Sequence, residues 1–223
     1  DLSAGHRHTC GVQIDSAVSC WGYDAFGQTS DVPTGSYQMV SAGEYHNCAL
    51  KDDGEVKCWG YADHGECEVP DGTYLQVAAG GDYTCALDTA GTISCWGSVS
   101  FDQTKAPDGT FVTLRVGNNH GCALKPTGQL ECWGYDAYGQ VSDVPIKAFQ
   151  HVAVGGYHTC GLEMDGSVSC WGLNSNGQAS PPGGEIFTTV EAGGSHTCGI
   201  NLAGEILCWG WDKFGQATPP TDL

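Results

Sequence analysis

Hydrophobic and polar residues alternate with a period of two over short stretches along the whole chain. In one such stretch Cys48 and Leu50 occupy every second position, and Val56 and Cys58 do so after a turn at Asp53-Gly54. A period of two predicts β-strands whose side chains point alternately to the two faces of a sheet. No segment of helical length has the 3.6-residue period of an amphipathic helix. The pattern therefore predicts an all-β fold built from tight hairpins.

This hairpin pattern recurs six times. Each copy contains a Cys-Trp-Gly triplet, and the successive tryptophans lie 38, 37, 37, 38 and 38 residues apart. The tryptophans are Trp21, Trp59, Trp96, Trp133, Trp171 and Trp209. We interpret them as packing groups because every copy has one. The chain divides into six repeats of 37–38 residues, at approximately 1–40, 41–77, 78–114, 115–152, 153–190 and 191–223.

One repeat has two clear strands, a shorter strand before them and a candidate fourth strand near its Gly-Gln loop. Such a unit cannot bury both faces alone, so the repeats must pack against each other. Short strands separated by Gly and Pro favour a six-bladed β-propeller over a linear solenoid. The segment 219–223 ends where a first strand would begin, and residues 1–5 begin where it would end. We therefore expect one closed domain over residues 1–223, whose last blade is completed by both ends of the chain.

The repeated motifs resemble a known family. The segment 41–50, Ser-Ala-Gly-Glu-Tyr-His-Asn-Cys-Ala-Leu, is similar to the signature of the regulator of chromosome condensation repeats, and 171–178 resembles their second hallmark. The cysteine-rich form looks most like the extracellular branch, which includes bacterial secreted propellers, some of them β-lactamase inhibitors, and plant crinkly receptor ectodomains. The resemblance implies a propeller that binds proteins. The best-known members have seven blades, whereas this chain has six repeats.

Thirteen cysteines form six pairs at one fixed spacing and leave Cys67 over. The two members of a pair lie on the same face of neighbouring strands in a hairpin, where a disulfide is within reach. Such bridges form in an oxidising compartment, which predicts a secreted or cell-surface protein. The chain begins at Asp1 with no recognisable signal peptide, as expected after processing. The predicted bridges are Cys10–Cys20, Cys48–Cys58, Cys85–Cys95, Cys122–Cys132, Cys160–Cys170 and Cys198–Cys208.

Zinc is the alternative to the disulfides, because His8 and Cys10 share a face with Cys20 opposite. The third repeat argues against zinc, since Tyr83 replaces the histidine there while both cysteines are kept. We therefore expect neither metal nor cofactor. Cys67 is expected to be a free or partly buried thiol, or a bridge to a partner or to a second copy in a dimer. The recurrent histidines are interpreted as structural groups that bond the backbone at blade edges: His8, His46, His120, His158 and His196.

The loops that follow the Cys-Trp-Gly triplets differ between repeats and combine aromatic with acidic or amide side chains. In a propeller these equivalent loops gather on one face, where exposed aromatic rings can anchor a protein or stack on sugars. The alternative is that the rings fold back over the blade edges. The candidate binding residues are Tyr23, Asp24, Phe26, Tyr61, Asp63, Phe101, Tyr135, Asp136, Tyr138, Asn174, Asn176, Trp211, Asp212 and Phe214.

Charge narrows the choice of partner. The chain has 26 acidic and 8 basic residues, a formal net charge of -18, which repels nucleic acid and anionic membranes. No catalytic motif is present, and no pair of carboxylates is singled out for glycoside chemistry. We predict a secreted module that binds an extracellular protein with a basic patch and is not an enzyme. The alternatives are a multivalent carbohydrate-binding propeller and, less favoured, an extracellular hydrolase or lyase.

Overall fold

The computed structural model describes residues 1–220, which contain eighteen β-strands and no helix. These residues accordingly contain no helix long and apolar enough to cross a membrane. The strands are β1 Leu2–Ala4, β2 His8–Val12, β3 Val18–Gly22, β4 Met39–Ala42, β5 His46–Leu50, β6 Val56–Gly60, β7 Tyr74–Ala79, β8 Tyr83–Asp88, β9 Ile93–Gly97, β10 Thr113–Val116, β11 His120–Leu124, β12 Leu130–Gly134, β13 Phe149–Val154, β14 His158–Glu163, β15 Val168–Gly172, β16 Phe187–Ala192, β17 His196–Asn201 and β18 Ile206–Gly210.

Each repeat forms its own three-stranded antiparallel sheet, which we call a blade, with its strands in chain order from β1-β2-β3 to β16-β17-β18. The predicted all-β fold with six blades is confirmed. The candidate fourth strand is wrong for the described residues, where the chain turns around each Gly-Gln sequence instead of extending. Side-chain hydrogen bonds hold these turns, as described below.

All six predicted disulfides are present, and none of their cysteines is available to hold zinc. The second and third strands of each blade pair so that the two cysteines lie directly opposite, as Cys122 and Cys132 do. Their Cα atoms are 4.0 to 4.1 Å apart in every blade. The alternation along each strand therefore placed both sulfurs correctly on one face.

The hairpin turns follow the glycines that the sequence provides. In five repeats the turn glycine has φ between 82° and 85°, as at Gly54 and Gly204, a conformation that side chains disfavour. The first repeat has Ser16 at φ 67° instead. The Asp15 carboxylate accepts the Ala17 N–H at 3.1 Å, just as Asp53 accepts the Glu55 N–H at 3.0 Å in the second repeat. The lack of glycine in the first hairpin predicts a different turn, and this prediction is wrong, because Ser16 adopts the same left-handed conformation as the glycines.

Consecutive blades pack through their tryptophans. Each of five hydrophobic clusters combines side chains from two neighbouring blades. The tryptophan at each of these interfaces is 6–8% exposed. Its indole N–H donates to a backbone carbonyl of the preceding repeat at 2.9 to 3.1 Å. Their interpretation as packing groups is thus confirmed for Trp59, Trp96, Trp133, Trp171 and Trp209.

The recurrent histidines join the same interfaces. The Nε2 atoms of His46, His120 and His158 lie 2.7 to 3.0 Å from a threonine hydroxyl of the next blade. In the third repeat the Tyr83 hydroxyl reaches the His120 carbonyl at 2.7 Å. The structural role is confirmed, but the expected backbone partner is wrong for these histidines. Each bonds a side chain instead, because a threonine of the next blade places its hydroxyl group beside the imidazole ring.

The first and sixth blades lack such an interface within the described residues. Trp21 of the first blade is 55% exposed, unlike the five other tryptophans of the triplets. On the sixth blade Ile200 is 38% exposed, whereas Leu162 at the same position of the fifth blade is 1% exposed. We call these two surfaces, marked by Trp21 and Ile200, the uncovered faces. The six blades therefore form an open arc.

The expectation of a last blade completed by both ends of the chain is wrong for the described strands. β1 belongs to the first blade, and the sixth blade comes entirely from β16, β17 and β18. The physical reason is that the first strand of every blade pairs with the second strand of its own repeat, and none of the five hydrophobic clusters joins the first blade to the sixth. Residues 221–223, part of the segment expected to complete the blade, lie outside the described range.

Candidate functional site

The loops that follow the Cys-Trp-Gly triplets all lie at the same end of their blades. A repeated backbone hydrogen bond places them there, from the residue after Trp-Gly to the residue before the second strand of the same blade. Tyr23 N–H donates to the Arg7 carbonyl at 2.9 Å, Tyr135 N–H donates to the Asn119 carbonyl at 2.8 Å, and the other four repeats have the same bond. These six loops, with the residues that accept the bonds, form what we call the loop face.

Buried amides hold the conformation of these loops. The glutamine of the Gly-Gln sequence is at most 1% exposed in four repeats. Its Oε1 accepts the backbone N–H of the residue two positions earlier at 2.7 to 2.9 Å. A rigid loop loses little conformational entropy when it binds a partner. The four glutamines are Gln28, Gln103, Gln140 and Gln178.

Four of the predicted binding residues also hold the loops in place through hydrogen bonds to the backbone. Asp24, Asp136, Asn174 and Asp212 each accept the backbone N–H of the residue five positions later, at 2.7 to 2.9 Å. These side chains therefore have a structural role that the sequence did not reveal. The backbone N–H of Thr29 lowers the pKa of Asp24, so this carboxylate keeps its negative charge on the loop face.

The structure brings aromatic side chains of the first two repeats together. The Phe26 ring lies 5.0 Å from Tyr61 and 5.4 Å from Tyr45 between centroids, and Tyr23 lies 6.5 Å away on its other side. All three contacts are edge-to-face, the arrangement that aromatic quadrupoles favour. Tyr23 and Phe26 remain 40% and 42% exposed. We call Tyr23, Phe26, Tyr45 and Tyr61 the first aromatic cluster.

The second aromatic cluster, formed by Phe101, Tyr135, Tyr138 and Tyr157, repeats this arrangement three blades further on. Tyr138 lies 6.2 Å from Tyr135 and 5.8 Å from Tyr157. Phe101 closes the cluster at 5.0 Å from Tyr135. Phe101 and Tyr138 are 45% and 47% exposed. Three rings of the two clusters occupy equivalent positions, because the first and fourth loops share the sequence Tyr-Asp-Ala-aromatic and a tyrosine precedes the histidine of the next repeat in both cases. The fourth rings, Tyr61 and Phe101, come from different sides of their clusters.

The remaining two loops do not continue the aromatic clusters around the loop face. Trp211 and Phe214 of the sixth repeat form a separate pair, 5.3 Å apart and 38% and 78% exposed. The fifth loop presents exposed Asn174 and Asn176 and contributes no aromatic ring, because its sequence is Leu-Asn-Ser-Asn. The loop face therefore carries two clusters and one pair, and the rings do not fold away from solvent.

The repeats match a known family. The sequence profile of the regulator of chromosome condensation (RCC1) repeat matches residues 40–66, 75–103, 111–140, 149–178 and 187–216. The chain belongs to the RCC1 repeat family. Propellers of this kind are typically binding or exchange-factor domains. No curated protein sequence matches the chain.

Solved structures with the same architecture include two plant receptor ectodomains. The ectodomain of the Physcomitrella patens receptor kinase CR4 is 28% identical with a TM-score of 0.81, over 94% of this chain and 61% of that one. The crinkly WD40 ectodomain of the Arabidopsis thaliana receptor kinase ACR4 is also 28% identical, with a TM-score of 0.78, over 94% of this chain and 80% of that one. Prp20p of Saccharomyces cerevisiae, at 19% identity and TM-score 0.82 over 95% and 72%, shares the fold.

The chain thus spans less than two thirds of the Physcomitrella ectodomain. Its six intra-repeat disulfides and its likeness to receptor ectodomains point to an oxidising, extracellular compartment. The relatives also indicate a module for protein interaction.

Sequence reasoning missed two residues of the aromatic clusters. Tyr45 and Tyr157 immediately precede the histidines that begin their second strands, and both are half-buried. The signal was available, because the same position in every RCC1 repeat accepts the hydrogen bond that anchors the variable loop. An aromatic residue at that position must therefore lie beside the loop. The prediction considered only the loops themselves.

Cys67 is a free, half-buried thiol in the second loop. Its sulfur lies 3.5 Å from the Tyr61 carbonyl. Burial raises the pKa of the thiol to about 12, so little of it is in the reactive thiolate form at neutral pH. The expectation of a partly buried thiol is confirmed, and a dimer through Cys67 stays a prediction that this environment disfavours.

Proposed function

We propose that this RCC1-repeat chain is a secreted binding module, a single domain over residues 1–223, that recognises an extracellular protein through the loop face. Its role is binding and not catalysis. The observation that carries the proposal is the pair of aromatic clusters, each of which keeps two exposed rings on loops that a buried glutamine side chain holds. Exposed aromatic rings on rigid supports are the usual anchors of protein interfaces.

The charge of the loop face defines the chemistry of the partner. Asp24, Asp136 and Asp212 keep lowered pKa values, the last chiefly because the Thr218 hydroxyl donates to its carboxylate. Carboxylates beside aromatic rings complement a surface that combines apolar groups with lysine or arginine. We infer a partner with a basic patch. Its association rate should fall as salt is added, because screening weakens long-range attraction.

A carbohydrate ligand is the second candidate, and the equivalence of the two clusters favours it. Tyr23 with Phe26 and Tyr135 with Tyr138 offer nearly the same pair of rings, at 6.5 and 6.2 Å. Two similar sites on one rigid body gain avidity for a ligand with repeated units. The exposed side chain of Asn176 in the fifth loop can accept and donate hydrogen bonds to hydroxyl groups.

The test uses two probes, a phage-displayed library of random peptides and a glycan array, with the oxidised chain immobilised. A variant with Tyr23→Ala, Tyr138→Ala and Trp211→Ala removes one exposed ring from each aromatic group. A matched control, Ile14→Ala, Met164→Ala and Leu202→Ala, removes exposed apolar side chains at hairpin turns on the opposite end of the blades.

Selected basic peptides should bind the loop-face variant about 30-fold or more weakly, the effect of losing one hot spot of roughly 2 kcal/mol, and should bind the control unchanged. Peptides that bind both variants equally would show that the loop face is not the site. Binding to glycans alone, lost in the same variant, would replace the protein partner by a carbohydrate.

A further inference from the structure

The second repeat has an acid where the other repeats have an amide. Glu66 occupies the position of the buried glutamines and is itself 0% exposed. Its Oε2 accepts the His64 backbone N–H at 2.9 Å, as the glutamines do in their loops. Its Oε1 is buried without any hydrogen-bond partner in the described residues. An unpaired carboxylate oxygen in the interior is costly, so this position calls for a cation or a proton.

Two further ligand groups lie close to the Glu66 carboxylate. His64 lies two residues earlier on the same loop, and Asp82 comes from the neighbouring third repeat, immediately before its second strand. One ligand atom from each of the three side chains lies within 4.8 Å of the other two. Among the described residues no other group of three such side chains is this close. His64 is exposed, so an ion can enter from solvent.

The backbone around the group is held firmly. The Glu66 carbonyl accepts hydrogen bonds from the Thr84 hydroxyl and the Trp96 indole, both at 2.9 Å. The Asp82 carbonyl accepts the Ser98 N–H at 2.8 Å. Two of the three ligands therefore sit on fixed supports, and only the exposed imidazole has to adjust. Supports of this kind orient metal ligands in proteins.

We propose that Glu66, His64 and Asp82 bind a divalent transition-metal ion, with zinc as the ion to which the ligand set is best suited. One imidazole and two carboxylates are ordinary zinc ligands, and the fourth position would hold water or a group from a partner. Ligand atoms on one zinc ion lie about 3.3 Å apart, so the group contracts on binding. The site lies at the loop face and does not involve the disulfides, and the His64 ring lies 5.8 Å from Tyr61 at the edge of the first aromatic cluster. The proposal rests on the ligand group alone and not on the proposed binding function.

The experiment titrates zinc chloride into the oxidised chain by calorimetry and measures the shift in melting temperature at each concentration. The repeats supply variants that the fold already accepts at each position. Glu66→Gln introduces the residue that Gln28 provides in the first repeat. His64→Asn introduces the residue found at Asn176 of the fifth repeat, and Asp82→Asn the residue found at Asn119 of the fourth repeat. Each should weaken zinc binding roughly 10- to 100-fold or more, as losses at metal sites do, and reduce the stabilisation by zinc.

Matched controls separate this site from its surroundings. Cys67→Ser removes the nearby thiol, and Asp63→Asn removes an exposed acid outside the group; both should bind zinc as the unchanged chain does. Magnesium at the same concentration should bind far more weakly, because the imidazole prefers transition metals. Absence of zinc binding, binding that Glu66→Gln leaves unchanged, or binding that Cys67→Ser abolishes would overturn the proposal. In the first case Glu66 simply carries a proton.

Discussion

The five blade interfaces and the two uncovered faces contain the same motif in opposite situations. At an interface the tryptophan is 6–8% exposed and its N–H is bonded, while Trp21, with no blade against it, is 55% exposed. The first cysteine of each of the first five blades is 0% exposed, whereas Cys198 of the sixth is half-buried. The motif residues therefore build the contact between repeats and contribute less to the blade that contains them. In repeat proteins such interface terms supply much of the stability.

Replacing a tryptophan at a blade interface and one on an uncovered face should give the largest difference in the free energy of unfolding. Trp133→Ala removes a buried ring and its hydrogen bond to Gln103, which should cost about 3–5 kcal/mol of unfolding free energy. Trp21→Ala should cost under about 1 kcal/mol, because the ring is already mostly in solvent. Urea unfolding of the oxidised variants measures both. Equal losses at the two positions would show that the first and sixth blades meet in solution.

Replacing two equivalent glycines should give a smaller difference in the free energy of unfolding. A Cβ at Gly156 would lie 2.6 Å from the carbonyl oxygen of Gly194 on the next blade, whereas a Cβ at Gly194 meets nothing within 4 Å. Gly156→Ala should therefore cost roughly 1–3 kcal/mol through overpacking at the interface. Gly194→Ala should change stability by about 0.5 kcal/mol or less. The same urea experiment applies, and a large loss from Gly194→Ala would mean that the sixth blade's face is covered.

The sequence predicted the features that depend on local spacing. The period of two located the strands, and the fixed interval of the cysteines gave all six bridges. Each of these follows from a few neighbouring residues. Tyr45 and Tyr157 were not predicted because they lie at the starts of strands, outside the variable loops whose aromatic rings they contact.

The open arc could not be predicted in the same way. Whether six blades close depends on the step between blades, which the packing of Trp59, Thr84 and similar side chains sets at every interface. A small error in that step accumulates over five interfaces. The structural role of Asp24 was equally hidden, because its bond to the Thr29 N–H exists only once the loop has turned. Both features arise from tertiary geometry that a repeat count does not contain.

The buried histidines at the blade interfaces make the stability of the fold depend on pH. Burial, and secondarily the nearby His158, lowers the pKa of His120 to about 3, so folding requires its neutral form. The unfolded chain takes up this proton near pH 6.5, which means that its contribution is intact above that pH and is lost as pH falls from 6.5 toward 3. The loss is about 1.4 kcal/mol per pH unit for one such histidine.

The variant His120→Tyr copies the third repeat, where the Tyr83 hydroxyl bonds the next blade at 2.7 Å. Between pH 6.5 and 4 its stability should fall less steeply than that of the unchanged chain, by about 1.4 kcal/mol per pH unit. His196→Tyr is the control on an uncovered face. Burial lowers the pKa of His196 as well, but the ring is only half-buried, so the slope should change less. Equal changes at both positions would indicate that a further blade or partner covers His196 under the conditions of the measurement.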